Sequence, residues 1–215
     1  MSRGSLLDKR SFVLSLDHEE LEDFLEYLEK RMEGRDYSYK YLAGSGLKIT
    51  LFGTKEENKV AESIVRRTYR NFKIVRSPVG GLYRYPSEWL MEHGGGVSMS
   101  LLTLSLKGAG LTTSWRKGLL YTELKPEEIV DLMSELRTLV NEIKYEIRQR
   151  KAREVVVAAA VNTGASPLEV LDLAEEEGFL ERDESGAWWF RADPEFVMDT
   201  LIRMFSLMEV GEDGD

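Results

Sequence analysis

Six basic residues and no carboxylate occupy residues 63–86, SIVRRTYRNFKIVRSPVGGLYRYP, in a chain whose formal charge is -9. Arg66, Arg67, Arg70, Lys73, Arg76 and Arg84 are interleaved there with Tyr69, Phe72, Tyr83 and Tyr85. Cations hold phosphates and aromatic rings stack on bases, so the mixture suits a nucleic-acid surface. The same residues also fit a helix end and strand whose cations neutralise acidic neighbours. Arg116 and Lys117 at a hairpin tip add two cations suited to a phosphate backbone, and Lys144, Arg148, Arg150, Lys151 and Arg153 extend the track. Tyr37, Tyr39 and Tyr41 alternate, so their rings point to one side of a strand. Facing solvent, they form a stacking platform; facing inward, they form a tyrosine ladder on the core.

Catalytic signatures are incomplete. His93-Gly94-Gly95-Gly96 copies the oxyanion loop of some esterases, but no G-x-S-x-G elbow supplies a nucleophile. Two histidines, His18 and His93, and no cysteine leave no metal-ligand spacing and no His-based triad. Gly44-Ser45-Gly46 lacks the lysine and length of a phosphate-binding loop. The expectation is a non-enzymatic protein with no cofactor and no metal, an acid–base enzyme without a recognised motif being the remaining catalytic alternative.

The elements that position these residues follow from length and periodicity. With 215 residues and 42% hydrophobic content, the chain can bury a real core. Absence of cysteine favours a reducing home, and the first ten residues carry no apolar signal region, so a cytoplasmic location is expected. A charged content of 31% matches a balance met in thermophile proteins. Acids concentrate in residues 17–33 and 169–184, and such faces repel a phosphate backbone.

Residues 11–16 read as a strand, and Asp17 with Glu20 forms a capping box before a helix that Gly34 stops. Strands over 36–42 and 47–52 form a hairpin, Thr54 and Glu57 cap a second helix to about Arg70, and residues 72–76 read as a fourth strand. This order predicts an α+β protein whose residues 1–78 form a ferredoxin-like βαββαβ domain. Residues 79–150 read as a helix–hairpin unit with a long helix from Pro126 to about Gln149, residues 151–208 as a winged-helix-like unit, and residues 209–215 as an acidic tail. An offset of 68 residues aligns Ser98 with Ser166, Gly110 with Gly178 and Gly118 with Gly186, the spacing of a possible duplication.

The succession TKEENKVAESIVRR, a glycine-punctuated apolar helix, KPEEIVDLM and VNTGASPLEVLDLAEEEGFL resembles an uncharacterised family of archaeal proteins of about this size, a domain of unknown function. The resemblance implies an archaeal, cytoplasmic origin and no particular activity. The residues themselves point to a non-enzymatic RNA- or ribonucleoprotein-binding factor using Arg66, Arg67, Arg70, Lys73, Arg76, Arg84, Arg116 and Lys117, with Tyr37, Tyr39, Tyr41 and Tyr69 available for stacking. The alternative is a protein–protein adaptor or homo-oligomeric scaffold, and neither reading involves a membrane.

Overall fold

Alternation of Leu47, Ile49 and Leu51 with polar or exposed neighbours builds the central strand of the first sheet. In the computed structural model, which describes residues 8–184 and 186–212, strands β1 (Asp8–Leu14), β2 (Tyr37–Leu42) and β3 (Gly46–Gly53) pair antiparallel in the order β1-β3-β2. Helix α1 (Leu21–Met32) connects β1 to β2, and helix α2 (Lys55–Arg76) follows β3. Both helices cover one face of the sheet. Phe24, Leu28 and Met32 of α1 meet Ala61, Val65 and Phe72 of α2 above the three β3 side chains.

The chain ends of this unit are locally specified. Asp17 and Glu20 form the expected capping box, and Thr54 with Glu57 cap each other at the start of α2. Gly46, at φ 97°, opens β3 against the end of β1, where a Cβ would lie 2.1 Å from the Leu14 carbonyl oxygen. Only glycine fits that crossing.

Residues 72–76 are helix and not strand. Ala61, Val65, Thr68, Phe72 and Val75 are all buried, a helical stripe that continues through the segment read as a strand. The fourth strand of a ferredoxin-like order is therefore not formed by this segment, and β1 pairs with β3 alone among the described residues.

Residues 77–215 make the second unit. Strand β4 (Tyr83–Pro86) joins the hairpin of β5 (Ser114–Arg116) and β6 (Leu119–Thr122) in the order β4-β6-β5. Tyr85 on β4 is fully buried, donates its hydroxyl to the Leu124 carbonyl at 2.6 Å and stands 5.2 Å from the Trp89 ring. Helices α3 (Ser87–His93), α4 (Met99–Gly108) and α5 (Pro126–Ile143) follow the chain to α6 (Arg150–Thr163), α7 (Pro167–Glu176) and α8 (Pro194–Glu212). The hub is α6: residues 155–160, three valines and three alanines, are at most 1% exposed. Small and β-branched side chains let α4, α5, α7 and α8 all pack on it. The long helix expected to reach Gln149 ends at Ile143, and the 22-residue α2 is longer than its 18 residues.

The 68-residue offset holds at the helix starts. Ser98 accepts from the Leu101 amide as cap of α4, and Ser166 accepts from the Glu169 amide as cap of α7. The hairpin of β7 (Leu180–Arg182) and β8 (Trp188–Phe190) stays two-stranded, whereas the hairpin after α4 gains β4 as a third strand. Ser185 in its turn and residues 213–215 of the acidic tail lie outside the described residues.

Candidate nucleic-acid interface

Pairing register decides which side of the first sheet each side chain occupies. Tyr37 is opposite Leu51, Tyr39 opposite Ile49 and Tyr41 opposite Leu47, so the three rings share the helix-covered face. Tyr37 and Tyr39 rings stand 6.5 Å apart, and Tyr41 meets His18 edge-on at 5.5 Å. Burial, Glu29 and Tyr39 push the Tyr37 phenol above its ordinary range. Tyr69 donates its hydroxyl to the Ser15 carbonyl at 2.7 Å and meets Phe24 edge-on. The tyrosines therefore do not form a platform on the open face.

The basic residues of α2 divide by helix angle. Toward α1, Lys73 binds Glu20 at 2.6 Å and Arg76 binds Asp23. These two cations bridge α2 to the start of α1. Around the other flank, Lys59, Arg66, Arg67 and Arg70 line an open groove of about 450 Å³ together with Arg10 from β1. The one carboxylate there, Glu62, is bridged by Arg10 at 2.5 Å and Arg66 at 2.8 Å, leaving the lining net positive. Among the described residues, neither Lys59 nor Arg70 has an ion-pair or hydrogen-bond partner. Arg66 also lies 5.0 Å from the Phe12 ring centroid.

The face away from the helices carries a second positive surface. Lys9 lies opposite Phe52, Val13 opposite Lys48, and Lys48 opposite Lys40. Ser11 and Thr50, also opposite, share a hydrogen bond at 3.0 Å that fixes this side. No Asp or Glu occupies a paired position on it, while Phe52 is 41% and Val13 48% exposed. Because β1 is an edge strand, this face and the groove adjoin along it, with Lys9 and Arg10 turned to opposite sides. Lys9, Arg10, Lys40, Lys48 and Lys59 lie outside the stretch that composition singles out. Alternation of Lys48 with Leu47 and Ile49 is the signal that reaches one of them.

Arg84, Arg116 and Lys117 belong to the second unit. Arg84 donates to the Ser77 carbonyl at 2.9 Å, Arg116 sits 5.9 Å from the Tyr121 ring centroid, and Lys117 turns the hairpin at φ 50°. His93 stacks on Trp89 at 4.1 Å and its Nδ1 lies 2.8 Å from the Trp89 carbonyl, so it serves the end of α3. Among the described residues no group of three His, Cys, Asp or Glu is placed to hold a metal. No single helix there is long and apolar enough to cross a membrane.

The model of one protein family, described as an uncharacterized protein conserved in archaea (DUF2067), matches residues 15–197. The chain belongs to this family. No curated protein and no solved structure matches it. The match begins after β1, so Lys9 and Arg10 lie ahead of the segment that defines this archaeal family.

Like charges directly opposite in a sheet repel, which makes the Lys40–Lys48 pair testable. Lys40→Glu should stabilise the first unit by about 0.2–1 kcal/mol. A higher urea midpoint with an unchanged slope is the expected readout.

Proposed function

We propose that this archaeal family member is a non-enzymatic RNA-binding factor whose contact surface is the α2 groove, continued across the β1 edge onto the open sheet face. What carries the reading is the convergence of Arg10, Lys59, Arg66, Arg67 and Arg70 on one groove whose only carboxylate is already neutralised. Net positive lining on a protein of charge -9 favours that surface for a polyanion. Phe52, exposed beside Lys9, offers a ring for base stacking at the end of the track. Single-stranded RNA is favoured over duplex DNA because the apolar α4, with only Lys107 as a cation, is a poor major-groove reader. A ferredoxin-like reading of the first five elements and a winged-helix-like reading of the helix–hairpin units accompany this proposal.

The test is fluorescence anisotropy of a labelled single-stranded RNA titrated with the full chain at 50 and 200 mM salt. Four net groove charges correspond to a slope of about -2.8 in log affinity against log salt. Affinity should therefore drop at least about 50-fold over that fourfold increase in salt. Binding that is absent, or unmoved by salt, overturns the reading.

A further inference from the structure

Three arginines from two helices converge on a cleft in the second unit. It holds about 570 Å³ and is lined by the Gly95–Gly96 turn, the start of α4, Arg137 of α5, and Arg150, Arg153 and Glu154 of α6. That volume lies within the range of small-ligand pockets.

The single carboxylate in the lining is internally satisfied. Glu154, with its side chain 8% exposed, accepts from Ser98 Oγ at 2.5 Å and from Arg150 Nε at 2.7 Å. Burial alone would raise its carboxyl, but hydrogen bonds from Arg150, Ser98 and Ser100 outweigh that and hold it below the usual range. It stays ionised and occupied. Arg137 has no ion-pair or hydrogen-bond partner among the described residues, and Arg153 makes only a long bond, 3.3 Å, to the Ile147 carbonyl. Two guanidiniums are therefore left over after Glu154 is matched.

Backbone geometry makes room for one of them. Gly95 has φ 52°, and a Cβ there would stand 2.6 Å from an Arg137 guanidinium nitrogen. The glycine lets the planar group lie against the turn that lines the cleft. Guanidinium forks recognise tetrahedral oxyanions through paired N–H bonds.

We infer that this cleft is a binding site for a small phosphomonoester, its phosphate held by Arg137 and Arg153 and its polar body by the rest of the lining. The cleft shares no lining residue with the groove on α2.

Isothermal titration of the full chain with glycerol 3-phosphate, and with glycerol at matched ionic strength, tests it. Binding of glycerol 3-phosphate should be at least about tenfold tighter than that of glycerol, and Arg137→Ala and Gly95→Ala should each weaken it about tenfold or more. Arg137→Lys, which keeps the charge and loses the fork, should fall between wild type and Arg137→Ala. Lys59→Ala with Arg70→Ala should leave it unchanged. Equal affinity for glycerol and its phosphate, or wild-type affinity in Arg137→Ala, overturns the proposal. Displacement of glycerol 3-phosphate by single-stranded RNA would overturn the assignment to a small molecule, since the phosphate bound would then be that of a nucleic-acid backbone.

Discussion

Replacing Phe24 with alanine should cost the first unit about 3–5 kcal/mol, the largest single loss expected in that unit. Phe24 is fully buried, and its ring meets Phe72 at 5.3 Å and Tyr69 at 5.9 Å, both edge-on. Removing it leaves a void between α1, α2 and the Leu47, Ile49 and Leu51 side of β3. Edge-on partners add about 0.5–1.5 kcal/mol per pair beyond burial, so two such losses put the effect toward the upper end of the range. The half-buried Lys73–Glu20 bridge and the exposed Arg76–Asp23 bridge on the same helix pair cannot compensate, being partly solvated and worth about 1 kcal/mol each. Hydrogen exchange on the full chain reads the outcome regionally: protection of α1 and α2 amides should fall together, while Glu22→Ala on the exposed side of α1 should stay within about 0.5 kcal/mol. Unchanged protection in α2 would show that Phe24 does not hold the two helices.

That core was largely legible in the chain, because strict alternation in β3 and helical spacing in α1 are strong local signals. The end of α2 was not. Residues 72–76, FKIVR, are too short to separate a period of two from one of 3.6, and only the stripe begun at Ala61 and Val65 decides it. Orientation of Tyr37, Tyr39 and Tyr41 follows from pairing with β3, which a single strand cannot reveal. The basic stretch was visible as composition, yet its members differ in what they meet. Lys73 and Arg76 reach acids 53 residues away in sequence, whereas Arg66 and Arg70 turn toward a groove completed by Arg10. The cleft in the second unit was less accessible still. Gly95, Arg137 and Arg153 come from a turn and two helices, and no local motif ties them together.

Lys59→Ala, Arg67→Ala and Arg70→Ala combined should flatten the salt dependence of RNA binding. The groove carries five cations and Glu62, and removing these three leaves about one net charge from Arg10, Arg66 and Glu62. Each phosphate contact on a single strand contributes about 0.7 to the slope, so the groove's share falls from about -2.8 to about -0.7. A fourfold increase in salt that weakens wild type about 50-fold should weaken the variant only about threefold. Stability should change little, since Lys59, Arg67 and Arg70 are exposed on α2 and alanine is a strong helix former. Arg10 and Arg66 are left in place because truncating either strips a partner from the largely buried Glu62, mixing a folding effect into a binding measurement. Any slope that survives beyond the groove's residual charge reports the open sheet face, and adding Lys40→Glu should reduce it further. Retention of the wild-type slope by the triple variant would remove the groove from the interface, because no other change accounts for three lost phosphate contacts.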